Sequence, residues 1–581
     1  MKMKLLSALL ATGITTAGFS QAFVQIIHNC PTPAANSVDI YLYDGSAWDA
    51  IPAVSGLLFR EATPFVTLPS GNSNLRVAVA PTDATPAITD TLVSFAVPTL
   101  TTGESYIAMA AGEIGSSSTP FSIFFGTGQQ SSGNSNEFDF TIFHGSTDAP
   151  GVSIFVDDAV NPAVSNLTYG NFTGYTTLID DKDYNVLLTL GSNINTMVEG
   201  FVAPLLTLNA GGFAGVIFAS GYLSPMMGQP AFGLFVALPD GSVIQLPQID
   251  LSRIQIVHNS PDPLVSVIDL YVANSSGDVE KVDNLAYKNS TPYLILPSDN
   301  YRAIFCPSNS TDTTSALVKI PFSMDKNKTY AAVAYGLANT SGNLFDHAES
   351  VNGTAVAFTV DLYDEAQIQS NTPGTADVLI YHHAPDAPTV DAVSQSTGIT
   401  VLDDLSYADR VGYFTFPAAG TTVLDITPGN NNSIIVGSFQ VPLGALSNTA
   451  VSVFASGFVT PNDENISGLQ PFGLFAVLPS GGAFIPLANV TSIEENTSKI
   501  QTTLYPNPAA EFINLGIETV NNTPVNVRII DMQGREVLGM QDVNLVSGLN
   551  TITLNVSGLS NGVYQVEIFN QEMRQTSKFI K

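Results

Sequence analysis

The stretch Ile26-Ile27-His28-Asn29-Cys30-Pro31-Thr32-Pro33 decides how the rest of the chain is read, because it is written four times. The other versions are Ile142-Phe143-His144-Gly145 with Ser146-Thr147-Asp148-Ala149-Pro150, Ile256-Val257-His258-Asn259 with Ser260-Pro261-Asp262-Pro263, and Ile380-Tyr381-His382-His383 with Ala384-Pro385-Asp386-Ala387-Pro388. A second phrase follows each: Leu57-Leu58-Phe59 with Phe65, Leu167-Thr168-Tyr169 with Tyr175, Leu285-Ala286-Tyr287 with Tyr293, and Leu405-Ser406-Tyr407 with Tyr413. A third phrase is a run of small residues closed by glycine: Ala110-Ala111-Gly112, Ala219-Ser220-Gly221, Ala334-Tyr335-Gly336 and Ala455-Ser456-Gly457. Self-similarity of this length means one domain repeated along the chain.

The spacing carries a history. His28 to Asp39 and His258 to Asp269 are both 11 residues, whereas His144 to Ser153 and His382 to Asp391 are both 9. Only the even copies end in Phe232-Gly233-Leu234-Phe235 and Phe472-Gly473-Leu474-Phe475. A two-module unit has therefore been duplicated. Segments such as Val38-Asp39-Ile40-Tyr41-Leu42 and Ile268-Asp269-Leu270-Tyr271-Val272 alternate apolar with polar, the period of a half-buried strand. Short strands separated by frequent turns predict an all-β fold of four tandem immunoglobulin-like β-sandwich modules in two duplicated pairs, followed by a small C-terminal β-sandwich. The expected boundaries are 1–22 for a signal peptide, 23–133, 134–250, 251–370 and 371–490 for the modules, 491–500 for a linker and 501–581 for the tail. Modules of this size can bury a core unaided, so beads on a string are expected rather than a solenoid.

Composition narrows the function. With 19 Lys and Arg against 50 Asp and Glu, the formal charge is −31, which excludes a general nucleic-acid binder because phosphate contacts need cations. Two cysteines exclude a disulfide-dense scaffold and a four-cysteine zinc site. Cys30 and Cys306 sit at non-equivalent places in modules one and three, so two unpaired thiols are expected. Residues 23–498 hold 11 basic and 43 acidic residues, whereas the tail from Lys499 holds six and seven, so the composition changes at that point. Lys2 and Lys4, the apolar run Leu5 to Ala17 and the small-x-small site Ser20-Gln21-Ala22 read as a cleavable signal peptide, and no other segment is long and apolar enough to span a bilayer.

The tail opens with Leu504-Tyr505-Pro506-Asn507-Pro508-Ala509, continues with Val525-Asn526-Val527-Arg528-Ile529-Ile530-Asp531 and Gln533-Gly534-Arg535, and ends with Leu559-Ser560-Asn561-Gly562-Val563-Tyr564 before Lys578 and Lys581. It resembles the type A C-terminal sorting domain of the type IX secretion system of Bacteroidetes. The resemblance implies that residues 501–581 engage that machinery, that the protein is exported across the outer membrane, and that the tail is removed as the protein is attached to the cell surface or released. The body phrases resemble domain-of-unknown-function family 4397 across residues 23–490. Thr32 stands where the motif has Asp, and Ser153 turns Val-Asp into Val-Ser. No activity is assigned to that family, so no catalytic residue is carried over.

The residues that invite a chemical reading are His28, His144, His258 and His382, with Asp148, Asp262 and Asp386 in the turns behind three of them. A metal centre needs three or four converging ligands. One such histidine per module does not supply them, and an imidazole fixing the following turn is the simpler reading. His382-His383 point to opposite faces of a strand. Asp157-Asp158 and Asp180-Asp181-Lys182-Asp183 offer oxygens to Ca²⁺, but no Asp-x-Asp-x-Asp-Gly loop accompanies them and solvated turns explain them as well. Gly558-Leu559-Ser560-Asn561-Gly562 has the spelling of a nucleophile elbow, but no histidine follows His383. Asp90-Thr91-Leu92 and Asp312-Thr313-Thr314 resemble the O-glycosylation motif of Bacteroidetes. No catalytic, metal or obligatory cofactor site is therefore expected. The expected function is a non-enzymatic surface array in adhesion or in envelope or matrix structure, with a cell-surface glycan or matrix partner. The alternatives are a glycan-binding array and, behind it, a surface hydrolase.

Overall fold

A computed structural model describes residues 20–581 except 83–90, 158, 278, 339–344, 346–349, 352–353, 463, 465, 491–500, 520–521, 532–534 and 571–573. Most of the expected signal peptide, the expected linker, Asp158 and Asp90 lie outside the described residues. The chain forms two compact units: one runs to Ile435 and resumes over Val441–Leu487, and the other comprises Val436–Gln440 and Ala488–Lys581. No helix among the described residues is long and apolar enough to cross a membrane.

The first repeat shows the plan. Its strands are β1 (Gln21–Asn29), β2 (Ser37–Tyr43), β3 (Val54–Leu58), β4 (Glu61–Ala62), β5 (Val66–Pro69), β6 (Arg76–Pro81), β7 (Val93–Ala96), β8 (Ser105–Ala111) and β9 (Ser122–Thr127). One sheet has the order β4-β1-β8-β9, with β5 also paired to β1, and the other has the order β3-β2-β6-β7. Val24, Ile26, Val38, Ile40, Val77 and Val79 fill the layer between them. The sandwich architecture is the expected one, with its own strand order, because β1 and β8 run parallel at the centre of their sheet. The same parallel pair recurs as Glu137–His144 with Ala214–Ser220, Leu251–His258 with Thr329–Tyr335, and Thr375–His382 with Ala450–Ser456.

The modules are not independent beads. Val24 and Ile26 of β1 face the first sandwich core, while Ile27 on the opposite face packs with Met109, Phe143, Phe218 and Phe235 in a cluster shared with the second repeat. Val257, Val333, Leu379, Tyr381, Phe454 and Phe484 form the corresponding cluster between the third and fourth repeats. There a short strand from the fourth repeat, Gly482–Ala483, also extends the third repeat's sheet, with Asn289 paired to Ala483. The second and third repeats meet through Phe155, Leu187, Met197, Leu251 and Ile295. The physical reason is visible in the strands. Leu251–His258 is buried at every position, so its outward face needs a cover as much as its inward face does.

The second unit contains the tail sandwich. One sheet orders Gln501–Tyr505, Phe512–Thr519 and Gly548–Asn555, and the other orders Glu536–Leu545, Thr523–Asp531, Val563–Phe569 and Arg574–Ile580. Ile513, Leu515, Ile517, Val527, Ile529, Val566, Ile568 and Phe579 lie between them. Arg528 pairs with Glu567, and both X-Pro bonds of Tyr505-Pro506-Asn507-Pro508 are cis.

Candidate functional site

The three recurring phrases meet in space around each histidine. His28, His144, His258 and His382 sit directly opposite Ala110, Ala219, Ala334 and Ala455 in the parallel pairs, so the first phrase is locked to the third in one register. Each Nε2 lies against a backbone carbonyl of the following turn: Ala35 at 2.6 Å, Pro150 at 2.9 Å, Val265 at 2.7 Å and Pro388 at 3.1 Å. A carbonyl only accepts, so Nε2 carries the proton and donates. Nδ1 of His28, His144 and His382 has no hydrogen-bond partner among the described residues. Burial therefore holds all four rings neutral. It pushes His28 and His258 down to about 4 and lowers His144 and His382.

The second phrase closes over the ring. Phe59, Tyr169, Tyr287 and Tyr407 each meet their histidine edge to face at 6.4–6.5 Å between ring centres. The residue after each aromatic, Arg60, Gly170, Lys288 or Ala408, has positive φ and returns its N–H to the histidine carbonyl. One residue before the phrase, Gly56, Asn166, Asn284 and Asp404 also have positive φ. Their N–H groups are accepted by Asp39, Ser153, Asp269 and Asp391 at 2.7–3.0 Å. The ladder slips at this point in all four repeats. The Val-Asp and Asn-Leu phrases are thus two halves of one β-bulge, and a serine at 153 still supplies the acceptor.

The turn aspartates hold the loop that follows the third phrase. Asp148 accepts from the N–H groups of Leu223 and Ser224 and Asp386 from those of Val459 and Thr460, whereas Asp262 accepts from Ala338 in that loop and from Leu264 in its own turn. In the first repeat Thr32 Oγ1 accepts from Ile114 N at 3.1 Å, so the departure from the motif keeps the clamp with one acceptor instead of two. Gly112, Gly221, Gly336 and Gly457 lead into these loops with φ between +81° and +98°. A Cβ on any of them would lie 2.3–2.5 Å from a carbonyl oxygen, which makes glycine obligatory there.

The four histidines are buried to 1% exposure or less, so a ligand reaching the surface meets the clamped loops and not the imidazoles. Asp148 is exposed, Asp386 half-buried and Asp262 buried. The loop clamped by Asp148 presents Met226 and Met227 to solvent. Asp157 pairs with Lys182, while Asp180 and Asp183 accept from the N–H groups of Gly211 and Thr207. No group of three or more metal-ligating side chains occurs among the described residues. Cys30 and Cys306 are both buried free thiols.

A second constellation went unread in the sequence. Gln25 donates through Nε2 to Leu238 O across the first module pair, and Gln255 donates to Leu478 O across the second. Arg60 lies over the Phe235 ring at 4.3 Å, and Lys288 over the Phe475 ring at 3.9 Å. In each pair the last Phe of the even copy's Phe-Gly-Leu-Phe ending thus lies under the odd copy's cation. The missed signal is the pairing of Gln and of Arg or Lys at equivalent places in odd copies with this ending in even ones.

Comparison with known proteins agrees with the two ends of this description. Residues 22–155 match the domain of unknown function DUF4397, and residues 503–581 match the secretion system C-terminal sorting domain. The first match runs through the second repeat's His144 and Ser153. The chain thus carries a type IX sorting domain, which marks it as secreted or attached to the cell surface. No curated protein matches the chain. Among solved structures, the product complex of SpuA, a multi-modular glycogen-degrading pneumococcal virulence factor, aligns at 10% identity over 76% of this chain and 37% of that one, with a TM-score of 0.14. This chain thus spans little more than a third of that one. The Bacillus anthracis TIE protein aligns at 10% identity over 79% and 67% (TM-score 0.12). PorZ, a surface component of the type IX secretion system of Porphyromonas gingivalis, aligns at 13% over 89% and 69% (TM-score 0.12). Likenesses this slight bear on neither fold nor function.

Proposed function

We propose that this protein is a non-enzymatic surface array, delivered by type IX secretion, that serves in adhesion or in envelope or matrix structure. The observation that carries the reading is that the same interface is built twice, by Gln25, Arg60 and Phe235 and again by Gln255, Lys288 and Phe475. The recurring residues are spent on bulges, turns and module contacts, which favours a scaffold that holds several loops at fixed separations. Fixed separation lets weak contacts add through effective concentration. The loops clamped by Asp148, Asp262 and Asp386 are the proposed contact elements, since loops on a rigid sandwich carry recognition.

The test uses the purified secreted protein against a panel of polysaccharides and cell-surface extracts, with and without Ca²⁺. Saturable binding to one surface component that falls when Asp148 and Asp386 are replaced by alanine supports adhesion through these loops. A glycan as the sole ligand would make the array a lectin. Turnover of any panel member would overturn the non-enzymatic reading.

A further inference from the structure

The third sandwich encloses an apolar cavity of about 210 Å³, whereas the corresponding space in the first sandwich is about 30 Å³. Strand register locates the difference. The pair Leu42–Val77 of the first repeat becomes Val272–Ala303 in the third. Phe95, opposite Val77, becomes Ile320, opposite Ala303. Phe125, opposite Ala108, becomes Leu362, opposite Ala332. Val79 to Phe305, Val24 to Ile254 and Val97 to Phe322 go the other way but do not refill the space. The third repeat thus gathers its smaller side chains, Val272, Ala303, Ile320 and Leu362, from both sheets around one point.

Every described residue lining the cavity is apolar. Side chains of this kind offer water no hydrogen bonds, so water inside is poorly held and the wall atoms lack dispersion partners. A cavity of about 150 Å³ lined by aliphatic and aromatic groups already takes up benzene. Ile320 and Phe322 belong to Val318–Ser323, at one edge of their sheet, and Val360 and Leu362 belong to Thr359–Tyr363, at the edge of the other. These four side chains are only half-buried, so the cavity meets the surface between two sheet edges. A slot between two facing sheets is thin, opens along one side and holds no charge.

We propose that the third sandwich binds the end of one alkyl or acyl chain, with the polar head left outside between Phe322 and Leu362. The slot shape and the edge opening favour a chain over a compact ring, because a chain can thread in while its head stays hydrated.

The test titrates the intact protein with sodium decanoate below its micelle concentration and counts bound molecules by native mass spectrometry. One saturable site per chain is expected. The double variant Ala303→Val/Leu362→Phe restores the side chains of the first repeat and should weaken binding at least tenfold while leaving the circular dichroism spectrum unchanged. Should that variant misfold, Ile320→Phe alone offers the same steric block. Decanol should bind as well as decanoate. Sedimentation with phosphatidylcholine vesicles that the blocked variants lose would name a membrane lipid as the source of the chain, whereas binding of free decanoate alone would name a free fatty acid or alcohol. Absence of saturable binding, equal binding by the folded blocked variants, or binding of decanoate but not decanol would each overturn the proposal.

Discussion

His258 offers the sharpest test of the repeated motif. Its ring is buried, it donates to Val265 O at 2.7 Å, and burial pushes it from 6.5 down to about 4. Above pH 6.5 the imidazole is neutral both folded and unfolded, so it adds no pH dependence. As the pH falls below 6.5 the unfolded chain takes up a proton that the folded chain refuses. Stability is therefore lost as the pH falls from 6.5 towards 4, at about 1.4 kcal/mol per unit. At pH 5 the loss from His258 alone is about 2 kcal/mol. His28, held at the same value, adds a similar loss wherever the first repeat unfolds with the third. Relief of self-repulsion among 50 acidic residues works in the opposite direction over the same range. A comparison with His258→Gln cancels that background, because glutamine keeps an N–H donor and does not titrate. The assay is chemical denaturation at pH 7.5, 6.5, 5.8 and 5.0, stopping short of the isoelectric point near 4.2. The wild type should lose about 2 kcal/mol more than the variant between pH 7.5 and 5.0. Parallel pH curves for the two proteins would refute the assignment of a buried neutral ring.

The other expectations concern the same framework. Gly457→Ala should cost about 2 kcal/mol or more in thermal unfolding, from its positive φ and the Cβ 2.3 Å from Pro471 O. Gly56→Asn should be nearly neutral, because its site is open and asparagine fills the equivalent Asn166 and Asn284. Asp386→Ala should free the N–H groups of Val459 and Thr460, seen as faster hydrogen exchange there. Asp386→Thr should restore part of that protection, as Thr32 does in the first repeat. Arg253 lies fully buried where the second and third repeats meet, donating to Ile194 O and stacked over Phe155 at 4.4 Å. Removal of a buried charge in favour of an apolar side chain is often neutral or stabilising, so Arg253→Met should hold or raise the melting temperature. A clear fall would show that the hydrogen bond to Ile194 outweighs the desolvation of the cation.

Much of this protein was legible without coordinates. Alternation in Val38–Leu42 and its copies specified strands, since side chains alternate faces with a period of two. The wording of residues 501–581 specified the sorting tail, and the recurrence of His, Val-Asp, Leu-x-Tyr and terminal Gly marked which positions matter. Their roles were not legible, because recurrence does not distinguish a residue kept for a ligand from one kept for a bulge. Only the tertiary structure put Asp39 beside Gly56, Asp386 beside Val459 and His28 against Ala35 O. It also overturned the expectation of separate beads. The doubly apolar Ile26-Ile27 said that both faces of β1 are buried but not what covers the outer one. The cavity is of the same kind, since Ala303, Ile320 and Leu362 are ordinary strand residues one by one. Periodicity along a chain fixes the direction of each side chain. Which side chain faces it, and how much space is left between them, is set by contacts between segments far apart in sequence.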